Sequence, residues 1–300
     1  MKIILAISDS RGRTVSYVAD DGHAYSPEAT VALVQQGQIE GVNVVKRGTV
    51  SYIRAKRSHN TRFHLDDVTI SVNKILSAGN SGPTLVTNSH FQSYWVSYQK
   101  YLEAEALKGT TLIAIDGYSF SSVLHVQKTL TPLKEFVFGS AAAFNIDPYL
   151  LSGILVDEIV RLAPFEEITD KLQLSVFKTN VSVGVAQVKL DTAKAVILAG
   201  YFNPNPDDPM LHKKAIAKTP RLYLYKYLID PKNNVYFAAA TMRAMLDSWK
   251  AKVDIDLTPE LIGSLYSLGH TPHPNPIANV RGQQIVNEFV PLAKDILDAV

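Results

Sequence analysis

The sequence predicts an α+β protein, in which a small N-terminal module of ββαββ type precedes a mainly α-helical C-terminal domain. Three observations support this prediction. Short apolar runs bounded by turn residues fill the first 58 residues, as expected of strands. One strong helix start, Ser26-Pro27, lies between them. After residue 130, apolar side chains recur mostly at helical spacing.

The N-terminal module, residues 1–58, contains four predicted strands and one predicted helix. The strands are expected over residues 2–7, 14–18, 41–45 and 50–55. Ser26 is a suitable N-cap and Pro27 suits the first helical turn, so a helix should begin there, run to about Gln36 and stop at Gly37. One edge of the module is basic, through Lys46, Arg47, Arg54, Lys56 and Arg57. Such charges prevent edge strands from pairing, or they form a docking surface for an anionic partner.

Residues 59–130 are predicted to be a connector with one helical segment, because the run 78–83 is rich in Gly, Ser and Asn. A helix is expected over 91–107, with an aromatic stripe that suits either core packing or a sugar platform. Its members are Tyr94, Trp95, Tyr98 and Tyr101. In the C-terminal domain, residues 131–300, helices are expected over 130–144, 191–198, 235–250, 259–268 and 282–300.

Composition limits the classes of protein to which this chain can belong. Its 300 residues, 46% hydrophobic and 19% charged, suit about two globular domains. The net charge of +2 gives no argument for nucleic-acid binding. The absence of cysteine excludes disulfides and thiolate metal sites. The first apolar run is too short for a signal peptide and no run is long enough for a membrane span, so we expect synthesis in the cytoplasm without an export signal.

One acidic residue, Glu158, occupies an unusual position in a predicted helix. It shares an apolar stripe with leucine and isoleucine at positions 151, 154, 155 and 162. Asp157, in contrast, shares a polar stripe with Gly153 and Arg161, and we expect it to be solvated. A carboxylate among apolar side chains is desolvated and tends to keep its proton near neutral pH. That is the state which a general acid needs.

Two motifs follow Glu158 in the sequence. They are Ser182-Val183-Gly184-Val185-Ala186-Gln187 with Thr192-Ala193, and Tyr266-Ser267-Leu268-Gly269. In this order and spacing the chain resembles the lysozyme-like superfamily over about residues 135–290, specifically the branch of lytic transglycosylases and goose-type lysozymes. In that branch a glutamate ends a buried helix, a Ser-x-Gly-x-x-Gln segment with a following Thr-Ala lines the cleft, and a Tyr-Asn-x-Gly motif closes it.

The chain departs from this family pattern at two points. The 24 residues from Glu158 to Ser182 exceed the family's spacing, which predicts an extra loop. Ser267 stands where the family has asparagine, which changes a substrate contact.

The resemblance implies cleavage of peptidoglycan between MurNAc and GlcNAc, with Glu158 protonating the leaving oxygen. Ser182 and Thr192 would line the cleft, and Gly184 would let the backbone approach a sugar ring. Gln187 offers donors and an acceptor for an N-acetyl group or a hydroxyl. Tyr266 offers an apolar face for a pyranose together with a hydroxyl. This chemistry requires no cofactor.

Glycosidases usually pair two carboxylates, and the extra loop contains Glu166, Glu167 and Asp170. If Glu167 or Asp170 reaches the cleft, water can be activated and the enzyme is a hydrolase. If neither does, the family's lytic route follows, in which the 6-hydroxyl of muramic acid attacks and an anhydro product forms. A metal site at His270 and His273 is not favoured, because no carboxylate or cysteine is near in the sequence.

The sequence therefore favours an enzyme that acts on glycan strands in the periplasm or at the cell wall after non-classical delivery. It would be an antibacterial effector, with an immunity protein and a secretion machine that contacts the N-terminal module as partners, or a phage endolysin. The alternatives are a peptidoglycan-binding protein that lost activity and a structural protein of a phage or secretion particle.

Overall fold

The computed structural model confirms a mixed α+β protein in which helices dominate, at about 59%. It describes residues 1–56, 64–166, 168–169, 180, 182–253, 255–268 and 276–299, and for 78–81 the backbone only. The described residues form two compact units. The first comprises Met1–Ser122 with Arg161–Phe177, and the second comprises Val123–Val160 with Lys178–Val300. The segments predicted as 1–58 and 59–130 therefore belong to the first unit up to Ser122.

The first unit begins with the predicted ββαββ pattern, to which the structure adds a two-residue strand, Ala24–Tyr25, before the helix. Its strands are β1 (Ile3–Ser8), β2 (Thr14–Ala19), β3 (Ala24–Tyr25), β4 (Val42–Arg47), β5 (Val50–Ala55) and β6 (Thr69–Ser71). One sheet has the order β3-β2-β1-β6, and β4 and β5 form a separate antiparallel hairpin. Both carry apolar side chains into one core, which includes Ile3, Tyr17, Val31, Val42 and Ile53.

The helix between these strands, α1 (Pro27–Gln35), begins where the sequence predicts. The Ser26 hydroxyl accepts a hydrogen bond from the Ala29 amide at 3.1 Å, and Pro27 occupies the first turn. Gly37 follows the helix with a φ of +73°, a conformation that glycine adopts without strain. The helix start and stop are confirmed because both depend on local chemistry alone.

The segment predicted as a connector contains several helices and strands among its described residues, 64–130. It forms β6, which pairs in parallel with β1, then α2 (Val72–Leu76) and α3 (Ala78–Val86). A Cβ at Gly82 would lie 2.9 Å from the Phe120 ring, so this glycine permits close packing within α3. The glycine that suggested a loop is thus a packing residue.

The rest of the first unit contains α4 (Gln92–Leu107) and a hairpin of β7 (Leu112–Ile115) and β8 (Tyr118–Ser122). The aromatic stripe of α4 divides between core and surface. Tyr94 and Trp95 are buried, and the Trp95 ring contacts Phe120 at 5.3 Å between centroids. Tyr101 is 58% exposed.

The second unit is mainly helical, as predicted. Its helices are α5 (Val123–Leu130), α6 (Lys134–Phe144), α7 (Pro148–Leu162, whose last two residues belong to the first unit), α8 (Leu190–Ala199), α9 (Lys213–Ile216), α10 (Arg221–Leu228), α11 (Pro231–Val253), α12 (Pro259–Leu268), α13 (Val280–Gln284) and α14 (Val290–Asp298). A π-helical turn, Ile285–Phe289, joins the last two. A short hairpin, β9 (Ser182–Val183) and β10 (Val188–Lys189), precedes α8.

Helix α7 is buried on all sides, from Leu150 to Arg161. The prediction of a solvated polar stripe along it is therefore wrong. A Cβ at Gly153 would meet Val290 Cγ2 at 2.6 Å, so α7 approaches the start of α14 closely at this point. Asp157, expected in solvent, is 1% exposed. A helix that packs on every face buries its polar residues together with its apolar ones.

Replacing Gly153 with alanine should lower the free energy of unfolding by about 1–3 kcal/mol, because the new methyl group overlaps Val290. Urea denaturation followed by circular dichroism measures this loss. Gly139→Ala in α6 is the matched control, since Gly139 is exposed and its neighbour is the hydroxyl end of Tyr236. There alanine should stabilise the helix by about 0.5–1 kcal/mol. Equal losses at both positions would contradict the close approach.

Candidate functional site

Glu158 is buried, as predicted, but it has a charged partner that the sequence did not indicate. Its carboxylate oxygen Oε1 accepts a hydrogen bond from Arg281 Nη2 at 2.7 Å. The same guanidinium donates from Nε to Asp157 Oδ2 at 2.6 Å, and its Nη2 also contacts Asp157. Two adjacent carboxylates of α7 therefore share one guanidinium. The expectation that Glu158 lies among apolar side chains alone is wrong.

The three charged side chains are largely removed from water. The side chains of Asp157, Glu158 and Arg281 are 1%, 5% and 12% exposed. Burial by itself would lower the pKa of the Arg281 guanidinium, but the negative charges of Glu158 and Asp157 outweigh it and hold that pKa above its usual value. The guanidinium in turn donates charge-assisted hydrogen bonds to both carboxylates. The cluster is therefore an ion pair network within the second unit.

Close packing between α12 and α13 places Arg281. A Cβ at Gly282 would lie 2.1 Å from both the Glu260 carbonyl oxygen and the Ser264 hydroxyl. Asn279 caps α13 by accepting from the Gly282 amide at 2.8 Å, and the Asn279 amide donates to the Ser264 hydroxyl at 3.0 Å. A cation in a first helical turn is unfavourable for the helix dipole, and the two carboxylates compensate for it.

The Ser-x-Gly-x-x-Gln motif forms the tight hairpin of β9 and β10. Gly184 and Gln187 both have positive φ, +72° and +47°, at the two ends of its turn. The Gln187 amide and its side-chain Nε2 both donate to the Gly184 carbonyl, at 3.0 and 2.8 Å. Gln187 thus uses one side-chain donor to fix its own turn.

Asn234 of α11, which is fully buried, stabilises this turn through hydrogen bonds to its backbone. Its Nδ2 donates to the carbonyls of Val183 and Leu228 at 2.8 and 3.0 Å, and its Oδ1 accepts from the Ala186 amide at 2.8 Å. A Cβ at Gly184 would lie 2.4 Å from this amide group. Glycine is therefore required at 184 for packing against Asn234 as well as for its backbone conformation.

Tyr266 of α12 links the hairpin to the charged cluster. Its hydroxyl donates to the Ala186 carbonyl at 3.0 Å. Burial raises the pKa of this hydroxyl, and the negative charge of Glu158 raises it further while Arg281 opposes the increase. Tyr266 therefore lies within electrostatic reach of Glu158. Tyr266 thus contacts the hairpin turn, about 80 residues earlier in the sequence, and feels the charge of Glu158.

Ser182 and Thr192 are the two other described residues that were predicted to line the cleft. Ser182 lies in β9 opposite Lys189, and Thr192 lies in the first turn of α8. Both are partly exposed. Near Thr192, Asp191 makes a paired contact with Arg221 at 2.8 and 2.6 Å, which fixes the start of α8 against α10.

The second carboxylates predicted for hydrolysis, Glu167 and Asp170, lie outside the described residues. Glu166 is described, belongs to the first unit and is exposed. His270 and His273 also lie outside the described residues. Over the ranges that the structure describes, no three His, Asp or Glu side chains group in a way that holds a metal ion. In the same ranges no helix has both the length and the apolarity of a bilayer crossing.

Sequence reasoning missed Arg281 and Asn234. Two adjacent carboxylates in an otherwise apolar helix do signal a buried cation, but 30 Lys and Arg residues compete for that role. The sequence Asn279-Val280-Arg281-Gly282 contains a helix cap and a small residue, which marks a close helix contact. Asn234 gives no signal, because its partners are backbone groups of distant segments.

Comparison of the chain with protein-family models, curated proteins and solved structures finds no match. The assignment of function therefore depends on the residues and their geometry.

Replacing Arg281 with methionine should lower the free energy of unfolding by about 3–5 kcal/mol at pH 7, because two carboxylates would stay buried without their cation. The loss should shrink as the pH falls, since the folded variant would then bind protons at these carboxylates and lose the uncompensated charge. Urea denaturation at pH 7 and near pH 4.5 measures both effects. Arg281→Lys, which keeps the charge but not the forked donor geometry, should lose less. A loss that is independent of pH would contradict the ion pair network.

Proposed function

We propose that the second unit cleaves the glycan strand of peptidoglycan between MurNAc and GlcNAc, with Glu158 as the general acid. The proposal follows the resemblance to the lytic transglycosylase and goose-type lysozyme branch. The observation that supports it most is the arrangement of its motif segments. Tyr266 bonds to the hairpin turn at Ala186 and is within electrostatic reach of Glu158. The bond between Tyr266 and the hairpin turn joins two motif segments that are about 80 residues apart, as the resemblance requires.

In this proposal Glu158 must receive a proton before it can donate one to the leaving oxygen. Arg281 opposes this step in the structure, because its guanidinium stabilises the carboxylate. Arg281 also donates from Nε to Asp157, so Glu158 is not the sole anionic partner of the guanidinium. The guanidinium keeps one ionised partner in Asp157 when Glu158 takes up a proton on binding substrate. Asp157 thus allows Glu158 to change its charge without leaving Arg281 unpaired.

Asp157 is not a candidate for the second carboxylate of a hydrolase. A carboxylate that activates water must reach solvent, whereas Asp157 is 1% exposed and bonded to Arg281. In the lytic route Glu158 protonates the glycosidic oxygen as the C1–O bond breaks. The muramic acid 6-hydroxyl then forms a bond to C1, and Glu158 takes its proton back. A hydrolytic role for Glu167 or Asp170 remains the competing prediction.

The biological setting is part of the proposal. An enzyme of this kind would act in the periplasm or at the cell wall, either as a delivered antibacterial effector with an immunity protein or as a phage endolysin. For an effector, the first unit would contact the delivery machinery.

One observation favours a second function, that of a non-catalytic peptidoglycan-binding or structural protein. The bond between Glu158 and Arg281 has the geometry of a structural ion pair, in which neither partner exchanges a proton. Under this alternative the hairpin and Tyr266 would bind glycan without cleaving it.

Glu158→Gln separates the two functions, because the amide keeps the size and a hydrogen-bond acceptor but cannot transfer a proton. The catalytic proposal predicts that release of soluble muropeptides from purified sacculi falls by about 10²–10⁴-fold. Products are identified by mass spectrometry, with anhydro ends for the lytic route and reducing ends for hydrolysis. Glu103→Gln, an exposed change on α4 in the first unit, is the control and should release products like the original protein.

The binding alternative predicts a different result. The original protein would release no product, and the original and Glu158→Gln proteins would bind sacculi equally. Release that is undiminished in the Glu158→Gln variant would refute the role of Glu158.

A further inference from the structure

The first unit contains an open groove that plays no part in the proposed cleavage. Its volume is about 640 Å³, which lies within the usual range for small-molecule sites. Its walls come from the β2–β3 turn at residues 20–23, from one face of α4 and from the turn that contains Ala163 and Glu166.

Three tyrosines line the α4 wall at helical spacing. The ring centroids of Tyr94 and Tyr98 are 6.4 Å apart, and those of Tyr98 and Tyr101 are 6.0 Å apart. The hydroxyls of Tyr94 and Tyr98 donate to the carbonyls of Pro164 and Phe120, at 2.5 and 2.8 Å. These bonds fix the two rings. Tyr101 is exposed and adds a ring at the solvent side of the groove.

The charged side chains of the groove are mainly acidic. Asp20, Asp21 and Glu166 face one lysine, Lys100, among the lining residues. Asp21 is oriented by the Tyr25 hydroxyl at 2.6 Å, and Asp20 accepts from the Lys2 amide at 2.9 Å.

The electrostatics of the ring wall agree with an acidic groove. Burial raises the pKa of the Tyr98 hydroxyl, and Tyr94, Tyr101 and Glu166 raise it further. Electron-rich ring faces and carboxylates in one groove favour a cation and disfavour an anion.

We propose that this groove binds an alkylammonium group. The ammonium would lie against the tyrosine faces, beside the carboxylates of Asp21 and Glu166, and its alkyl chain would cover the rings. Two sources share this chemistry, a free diamine and the lysine side chain of a peptide. A neutral sugar is less suitable, because it has no charge with which to pair the carboxylates of the groove. The inference is independent of the proposed cleavage and of Glu158.

Isothermal titration calorimetry on the full chain tests the proposal with 1,5-diaminopentane and with the peptide acetyl-Ala-Lys-Ala-amide. The control ligands are the same peptide with an acetylated lysine amine, which removes the charge, and maltotriose, a neutral sugar without N-acetyl groups. We expect binding of the amines that weakens as salt increases, and no binding of either control. Binding of the diamine alone, or of the peptide alone, identifies the source.

Two variants locate the binding in the groove. Tyr101→Leu and Glu166→Gln should each weaken amine binding about 2- to 5-fold, the effect expected for an exposed cation–π or charge contact. Tyr52→Leu removes a tyrosine that is exposed on β5, away from the lining residues, and should change nothing. Equal binding of the acetylated peptide or of maltotriose, no amine binding, or unchanged binding by both groove variants would overturn the proposal.

Discussion

One guanidinium shared by two buried carboxylates organises the site of the second unit. Arg281 bonds to Asp157 and Glu158 at once, and thereby joins α13 to the middle of α7. Charges in this position are costly unless all of them are paired. The glycine at 282 and the cap at Asn279 bring the guanidinium close enough, and Gly153 permits α7 to pack against α14 a turn away. The close contacts at Gly153, Asn279 and Gly282 thus permit the pairing of Arg281 with both carboxylates.

The same constraint governs what Glu158 can do. An apolar pocket alone would leave the Glu158 carboxyl without a charged partner, whereas Arg281 donates a hydrogen bond to it. Asp157 provides a second partner, so that the guanidinium stays paired if Glu158 becomes neutral. The turn of the nearby hairpin is stabilised by hydrogen bonds to the side chains of Asn234 and Tyr266.

Local chemistry made the main elements predictable. Ser26, Pro27 and Gly37 fixed the ends of α1, and apolar periodicity fixed the helical character of the second unit. The failures have long-range causes. Strand β6 has three residues and is stabilised by its pairing with β1. Helix α3 contains Gly82 because the Phe120 ring lies against it. Helical periodicity predicted that Asp157 would be exposed to solvent. In the structure it is buried, because α7 is covered on all sides. The choice of Arg281 as the partner of Glu158 depends on the packing of α12 against α13, which no local pattern encodes.

A double-mutant cycle with Glu158→Gln and Arg281→Met tests the central claim, that these two side chains are energetically coupled inside the second unit. The free energies of unfolding of the original protein, both single variants and the double variant are measured by urea denaturation at pH 7. A direct buried pair predicts a coupling energy above about 1.5 kcal/mol, with the double variant more stable than Arg281→Met alone. Coupling below about 0.5 kcal/mol, as between independent sites, would contradict the shared guanidinium on which the account depends.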